Sequence, residues 1–197
     1  TCGELVTDCY NACFALEENG SVFITDCGGG NGIVRQLEAA RIDAGSIRQV
    51  FITHRHLDHF TGALWLMRLI AYQMRHGRYE GDASFYGHDE VIALLRSISM
   101  SLIDAKESMF IDERIHLVSL ADGEEFEVMG HPAVCFDIHS TKARQSGYSL
   151  FYDEGRKLTC LGDEPYRECE RQYAEGSDWL LHEAFCLLLE SRVSHWL

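Results

Sequence analysis

The segment Thr53-His54-Arg55-His56-Leu57-Asp58-His59 constrains this chain more than any other. Four potential metal ligands fall within six residues, and imidazole with carboxylate is a donor set that zinc, manganese and iron accept. The segment stands between an apolar strand, Ile47–Thr53, and a long amphipathic helix, Phe60–Arg75. In that helix Phe60, Ala63, Leu64, Met67, Ile70, Ala71 and Met74 recur at helical spacing. His54 and His56, two apart at a strand end, project to one side if the strand persists through both. A polar turn with Asp58 as helix N-cap would account for Asp58 and leave three histidines without a reason. The histidines favour a metal site.

Around this segment, strands and helices mix. Asn11–Glu17 and Ser21–Asp26 alternate as two strands joined at Glu18-Asn19-Gly20, a hairpin signal. The run Gly28-Gly29-Gly30-Asn31-Gly32 precedes a short helix, Ile33–Arg41. Ala83–Tyr86 reads as a strand and His88–Ile103 as a helix. Ile115–Leu120, Glu125–Met129 and Ala133–Ile138 follow as strands, then Tyr148–Tyr152 and Lys157–Leu161 as a hairpin. Pro165–Glu175 reads as a helix with proline in its first turn, and Trp179–Leu181 as a short strand. Hairpins in both halves point to a layered α/β (α+β) domain rather than a doubly wound sheet, which would alternate strand and helix throughout. No linker or repeat divides the chain, so residues 1–197 are expected to form a single domain.

Composition narrows the function. A net charge of −14 repels polyanions unless a bound metal or local basic patch reverses the field, so general nucleic-acid binding is disfavoured. Eight cysteines contain no Cys-x-x-Cys pair, and most sit among apolar neighbours as small core residues. Reduced thiols, no basic-then-apolar leader and no bilayer-length apolar run lead us to expect a cytoplasmic protein with no membrane partner.

Thr-His-x-His-x-Asp-His resembles the signature of the metallo-β-lactamase superfamily, and downstream residues follow in matching order. His139 closes Phe136-Asp137-Ile138-His139-Ser140 ahead of Gly147-Tyr148, resembling the third histidine of the ribonuclease Z-like branch. Asp163 resembles that branch's bridging aspartate, and Leu181-His182-Glu183-Ala184 its His-Glu-Ala segment. The likeness runs from about Asn11 to Phe185. It implies a four-layer αββα sandwich holding two divalent metal ions, with zinc expected ahead of manganese or iron. One metal would be held by His54, His56 and His139, the other by Asp58 and His59, with Asp163 bridging. A hydroxide shared by the two ions would be the nucleophile. Asp58 would be the catalytic residue that orients or deprotonates the water. Gly29, Asn31, Tyr166, His182 and Glu183 are expected to line the site.

The family's last histidine has no counterpart. His182 and His195 are the only histidines after Asp163, and neither has the expected context. Truncation, a further tail, or a site with one fully occupied metal are the alternatives. Because Thr1 rather than Met begins the chain, truncation at both ends is the expectation.

The expected activity is metal-dependent hydrolysis of a phosphodiester or other small ester. A lactone or thioester hydrolase is the alternative, with Tyr166 supporting the substrate oxygen; a non-catalytic metal-binding homologue is the third reading. Transfer RNA is disfavoured as a partner. Only 24 residues (163 − 139) separate His139 from Asp163, where ribonuclease Z enzymes insert a tRNA-binding arm. A homodimer fits the branch, although the sequence names no interface.

Overall fold

The computed structural model of the protein describes residues 10–153 and 155–182. The expected hairpin opens the fold: β1 (Phe14–Glu18) pairs antiparallel with β2 (Ser21–Thr25) through a turn in which Asn19 and Gly20 adopt positive φ. The chain then runs through α1 (Gly32–Ala40), β3 (Ile47–Phe51), α2 (Leu57–Arg75), β4 (Ala83–Gly87) and α3 (Asp89–Leu102). A single-turn α4 (Ala105–Ser108) and β5 (Ile115–Ser119) follow. Together β1-β2-β3-β4-β5 form one sheet, parallel from β2 to β5. Its helical connections are those that parallel pairing requires.

The second sheet has the order β10-β9-β8-β7-β6. It is built from β6 (Glu125–Val128), β7 (His131–Asp137), β8 (Ser146–Tyr152), β9 (Arg156–Cys160) and, after the one-turn α5 (Arg171–Ala174), β10 (Trp179–Leu181). Its neighbours pair antiparallel except β9 with β10.

The two sheets face each other over Phe23, Phe51, Val128, Cys135, Tyr148 and Leu158. On the outer face of the first sheet, Phe60, Ala63, Met67, Ile70 and Met74 of α2 join Ile24, Val50 and Phe85 in a second core. The apolar stripe of α2 is therefore buried as its spacing requires. On the outer face of the second sheet, Phe136, Ile138 and Leu161 pack against Tyr173, whose ring stacks on Phe136 at 3.8 Å between centroids. The result is the αββα layering, with a thin outer helical layer on the second sheet among the described residues.

Two expectations change. The expected helix Pro165–Glu175 shrinks to a 3-10 turn at Glu168–Glu170 and α5. Arg167 is extended instead (φ −127°, ψ 153°), and its guanidinium reaches back to the carbonyls of Ile138 and His139. A helical Arg167 would forgo that reach. β7 also begins before Pro132 rather than after it, because His131 and Pro132 pair with Val128 and Glu127. Among the described residues no helix is long and apolar enough to cross a membrane, and the five described cysteines are free.

Candidate metal centre

The motif lies at the end of β3. Ile52 and Thr53 carry the strand direction inward, both fully buried, and α2 begins at Leu57 with His56 as its N-cap residue. Asp58 is thus inside the first turn rather than capping it, where the helix dipole favours a carboxylate. His54 is fully buried. Its Nδ1 lies 2.9 Å from the Thr53 hydroxyl, and its Nε2 lies 2.8 Å from His56 Nδ1. One ligand atom from each of His54, His56 and Asp163 falls within 4.8 Å of the others. Asp163 reaches them from the other sheet, just past the end of β9.

His59 completes a second half. Its Nε2 is 3.5 Å from carboxylate oxygens of both Asp58 and Asp163, while its Nδ1 is 2.8 Å from Asp26 Oδ2. Asp26 also accepts from the Thr53 backbone N–H at 2.9 Å and from the Thr53 hydroxyl. This buried carboxylate therefore fixes both the ring of His59 and the strand end that carries His54. Close backbone contact holds it in place. Cys27 N–H donates to the His59 carbonyl and Gly62 N–H to the Gly28 carbonyl, both at 2.9 Å. A Cβ on Gly62 would lie 1.8 Å from the Cys27 carbonyl oxygen, so only glycine permits α2 to approach this closely.

Asp26 is the functional residue that sequence reading overlooks. A lone acid at a strand end has no spacing signature, and its one outward signal is the glycine run that follows it.

Electrostatics suit a cation. Burial, followed by the neighbouring His59 and His56, holds the His54 imidazole far below its ordinary range, leaving a neutral ring with a free lone pair. Burial also works against charge on His59, but the facing carboxylates of Asp26 and Asp163 outweigh it and lift its pKa to about 10. The buried His59 Nε2 nevertheless has no hydrogen-bond partner among the described residues, although two carboxylates face it. A buried nitrogen of this kind, in a ring oriented by Asp26, fits an inward-facing metal ligand. The His54–His56 nitrogen pair fits as well. Zinc–nitrogen bonds of about 2.0–2.1 Å set tetrahedral ligands roughly 3.4 Å apart, slightly wider than the observed contact.

The remaining expected residues are distributed unevenly. His139 has φ +56° and an exposed ring, 61% accessible, whose Nδ1 lies 3.8 Å from Asp137; it is outside the His54–His56–Asp163 group. Its main chain is nevertheless pinned, by its N–H to Asp137 and its carbonyl to Arg167. His182 joins Asp26, His59 and Asp163 in lining a cavity of about 270 Å³. Tyr166 is half-exposed, with its ring edge-on to His182 at 6.1 Å. Gly29 lies against Asn11 and the Leu57 carbonyl, and the neighbouring Gly30 N–H donates to the Thr61 hydroxyl. Asn31 is exposed at the start of α1. Glu183 lies outside the described residues. Off the motif, His88 is fully buried just past the end of β4, with Nε2 3.0 Å from the Arg144 carbonyl. A larger cavity of about 480 Å³ lies between β1 and the second sheet; its lining is mainly apolar and contains none of the clustered ligands.

Comparison with known proteins agrees with this architecture. Residues 6–141 match the Metallo-beta-lactamase superfamily. A protein named Ribonuclease Z from Pyrococcus horikoshii is 28% identical over 167 residues, covering 80% of this chain and 50% of that protein. This chain thus spans half or less of the length of the curated relatives it matches. Among solved structures, the short form of human tRNase Z superposes with a TM-score of 0.64 at 21% identity, covering 86% of this chain and 69% of that one. The metallo-beta-lactamase fold protein YhfI from Bacillus subtilis gives a TM-score of 0.72 at 14% identity, covering 91% and 66%. At these identities the two structures speak to fold alone.

Proposed function

Because this chain belongs to the metallo-beta-lactamase superfamily, we propose that it is a metal-dependent hydrolase acting on a phosphodiester or another small ester. The observation that carries the reading is the convergence of His54, His56 and Asp163 beside a buried, partnerless His59 Nε2. In this reading His54, His56 and His139 would hold one ion, Asp58 and His59 the other, and Asp163 would contact both. His139 is the member whose ring must turn inward from its exposed position. When bound, the ions supply Lewis acidity and lower the pKa of water. The chain's own residues do the rest. Asp26 orients His59, Asp58 accepts a proton from water or orients it, and the buried Thr53–Asp26 contacts keep this geometry from relaxing. His54, held neutral, presents a lone pair without first losing a proton.

A phosphodiester is favoured because the similar Pyrococcus protein is named as a ribonuclease, an activity that cleaves such bonds. A small substrate is favoured over tRNA because β8 and β9 occupy the interval between His139 and Asp163, and because the chain carries a net charge of −14. The cytoplasm remains the expected location, and zinc the expected metal.

The test is a substrate panel with the full chain loaded with zinc or manganese: bis-p-nitrophenyl phosphate against lactones and thioesters. Turnover of the phosphodiester is expected. A fully loaded chain that hydrolyses only lactones or thioesters would replace the phosphodiester reading with the alternative; one that hydrolyses none of them would sink the hydrolase assignment.

A further inference from the structure

Gln145 is completely buried, yet it carries a primary amide that must find partners in the interior. Its partners are the main chain of Asp163 and the hydroxyl of Ser140, beside His139. Oε1 accepts from the Asp163 N–H at 3.0 Å, and Nε2 donates to the Asp163 carbonyl at 3.4 Å and to the Ser140 hydroxyl at 3.3 Å. One side chain thus grips both backbone polar groups of Asp163 and the residue next to His139.

The surroundings are built to keep it there. Gly162 precedes Asp163 at φ +77°, and a Cβ at that position would stand 3.0 Å from Gln145 Oε1. The Gln145 carbonyl accepts from Ile138 N–H, and the next residue, Ser146, donates its N–H to the Thr53 carbonyl at 3.0 Å, beside His54. The Ser140 hydroxyl passes the contact on to buried Glu164. Gln145 therefore lies where the loops bearing His54, His139 and Asp163 meet.

We propose that Gln145 is a positioning residue for the metal centre: its amide sets the backbone of Asp163 so that the carboxylate faces His54, His56 and His59, and ties that setting to the His139 loop. The inference rests on the ligand set proposed above. A buried amide is well suited to this task, because it supplies donor and acceptor together and brings no charge to compete with the ligands. A hydrophobic side chain of equal volume would fill the space and leave the Asp163 N–H unsatisfied.

The test replaces Gln145 by methionine, which keeps its volume, and titrates the full chain with Co2+, reading affinity by chelator competition and ligand geometry by the visible spectrum. Q145M is expected to bind about tenfold more weakly and to show a shifted, weaker d–d band, while far-UV circular dichroism without metal stays as in the wild type. A second variant, Gly162→Ala, displaces the same amide without removing it and is expected to shift the spectrum in the same direction. It decides the matter if Q145M does not fold. Wild-type affinity and spectrum in either folded variant would overturn the role of Gln145. A wild-type chain that binds no Co2+ would instead overturn the metal reading beneath it.

Discussion

Without bound ions His59 carries a proton at neutral pH, since Asp26 and Asp163 prevail over burial and hold its pKa at about 10. A ring nitrogen must shed its proton to take a metal. Loading at neutral pH is therefore expected to release a proton from His59, and to release less when Asp26→Asn lowers that pKa. Calorimetry in buffers of different ionisation enthalpy measures the release, and proton-neutral binding would contradict His59 as a ligand. The same raised pKa gives a sign for stability. A group raised above its unfolded value stabilises fully below about pH 6.5, and that contribution is lost as pH rises through about 10. Chelated protein should accordingly melt at lower temperature as pH climbs through that window. At this scale the histidines were legible and Asp26 was not. His54, His56 and His59 announce themselves by spacing, whereas Asp26 acts through a fold that brings residue 26 to residues 53 and 59. Gln145 was invisible for a related reason: two of its three side-chain contacts are to the main chain of Asp163, 18 residues away, which leaves no mark on sequence pattern. Replacing His56 or Asp163 by alanine should abolish both metal uptake and hydrolysis, measured by elemental analysis and the phosphodiesterase assay; full activity in either variant contradicts the assignment.

Among the elements, the best-read were those whose partners are local or periodic. The stripe from Phe60 to Met74 gives α2 because each apolar residue meets the same sheet face. The Pro165–Glu175 helix was misread because Arg167 and Glu164 spend their side chains on the 138–141 loop, a contact no local propensity records. Glu164 allows a pH test of that contact. Burial works against its charge, but the Thr141 N–H and the Ser140 and Thr141 hydroxyls outweigh it and hold the carboxyl below its ordinary range. A depressed carboxyl stabilises above its unfolded pKa of about 4.3, and the contribution is lost as pH falls through the folded value. The melting-temperature gap between wild type and Glu164→Gln should therefore be widest near neutrality and narrow in acid; a gap independent of pH would remove the charge from the explanation. The approach of α2 to the Asp26 loop is testable as packing. Gly62→Ala places a methyl 1.8 Å from the Cys27 carbonyl oxygen, and is expected to cost about 3 kcal/mol in urea unfolding. A loss too small to measure would mean that the helix start yields freely.

At the scale of the whole molecule, the paired sheets bring His54, His56 and Asp163 together from distant stretches, and the chain as a whole carries a net charge of −14. On the proposed reading, an anionic phosphodiester would approach the centre against that field. Long-range repulsion is screened over roughly a Debye length, about 10 Å at 0.1 M salt, whereas contacts within the buried cluster are screened far less. Added salt should consequently raise kcat/KM for an anionic substrate while leaving kcat nearly unchanged, the reverse of an enzyme that steers its substrate in. Repeating the measurement with an uncharged ester separates screening of the substrate from effects on the protein, because that substrate should show no salt dependence. The same field predicts that labelled tRNA shows no retention in fluorescence anisotropy at physiological salt. A kcat/KM that instead falls steeply with salt would reveal a cationic approach surface, and with it the polyanionic substrate that the overall charge argues against.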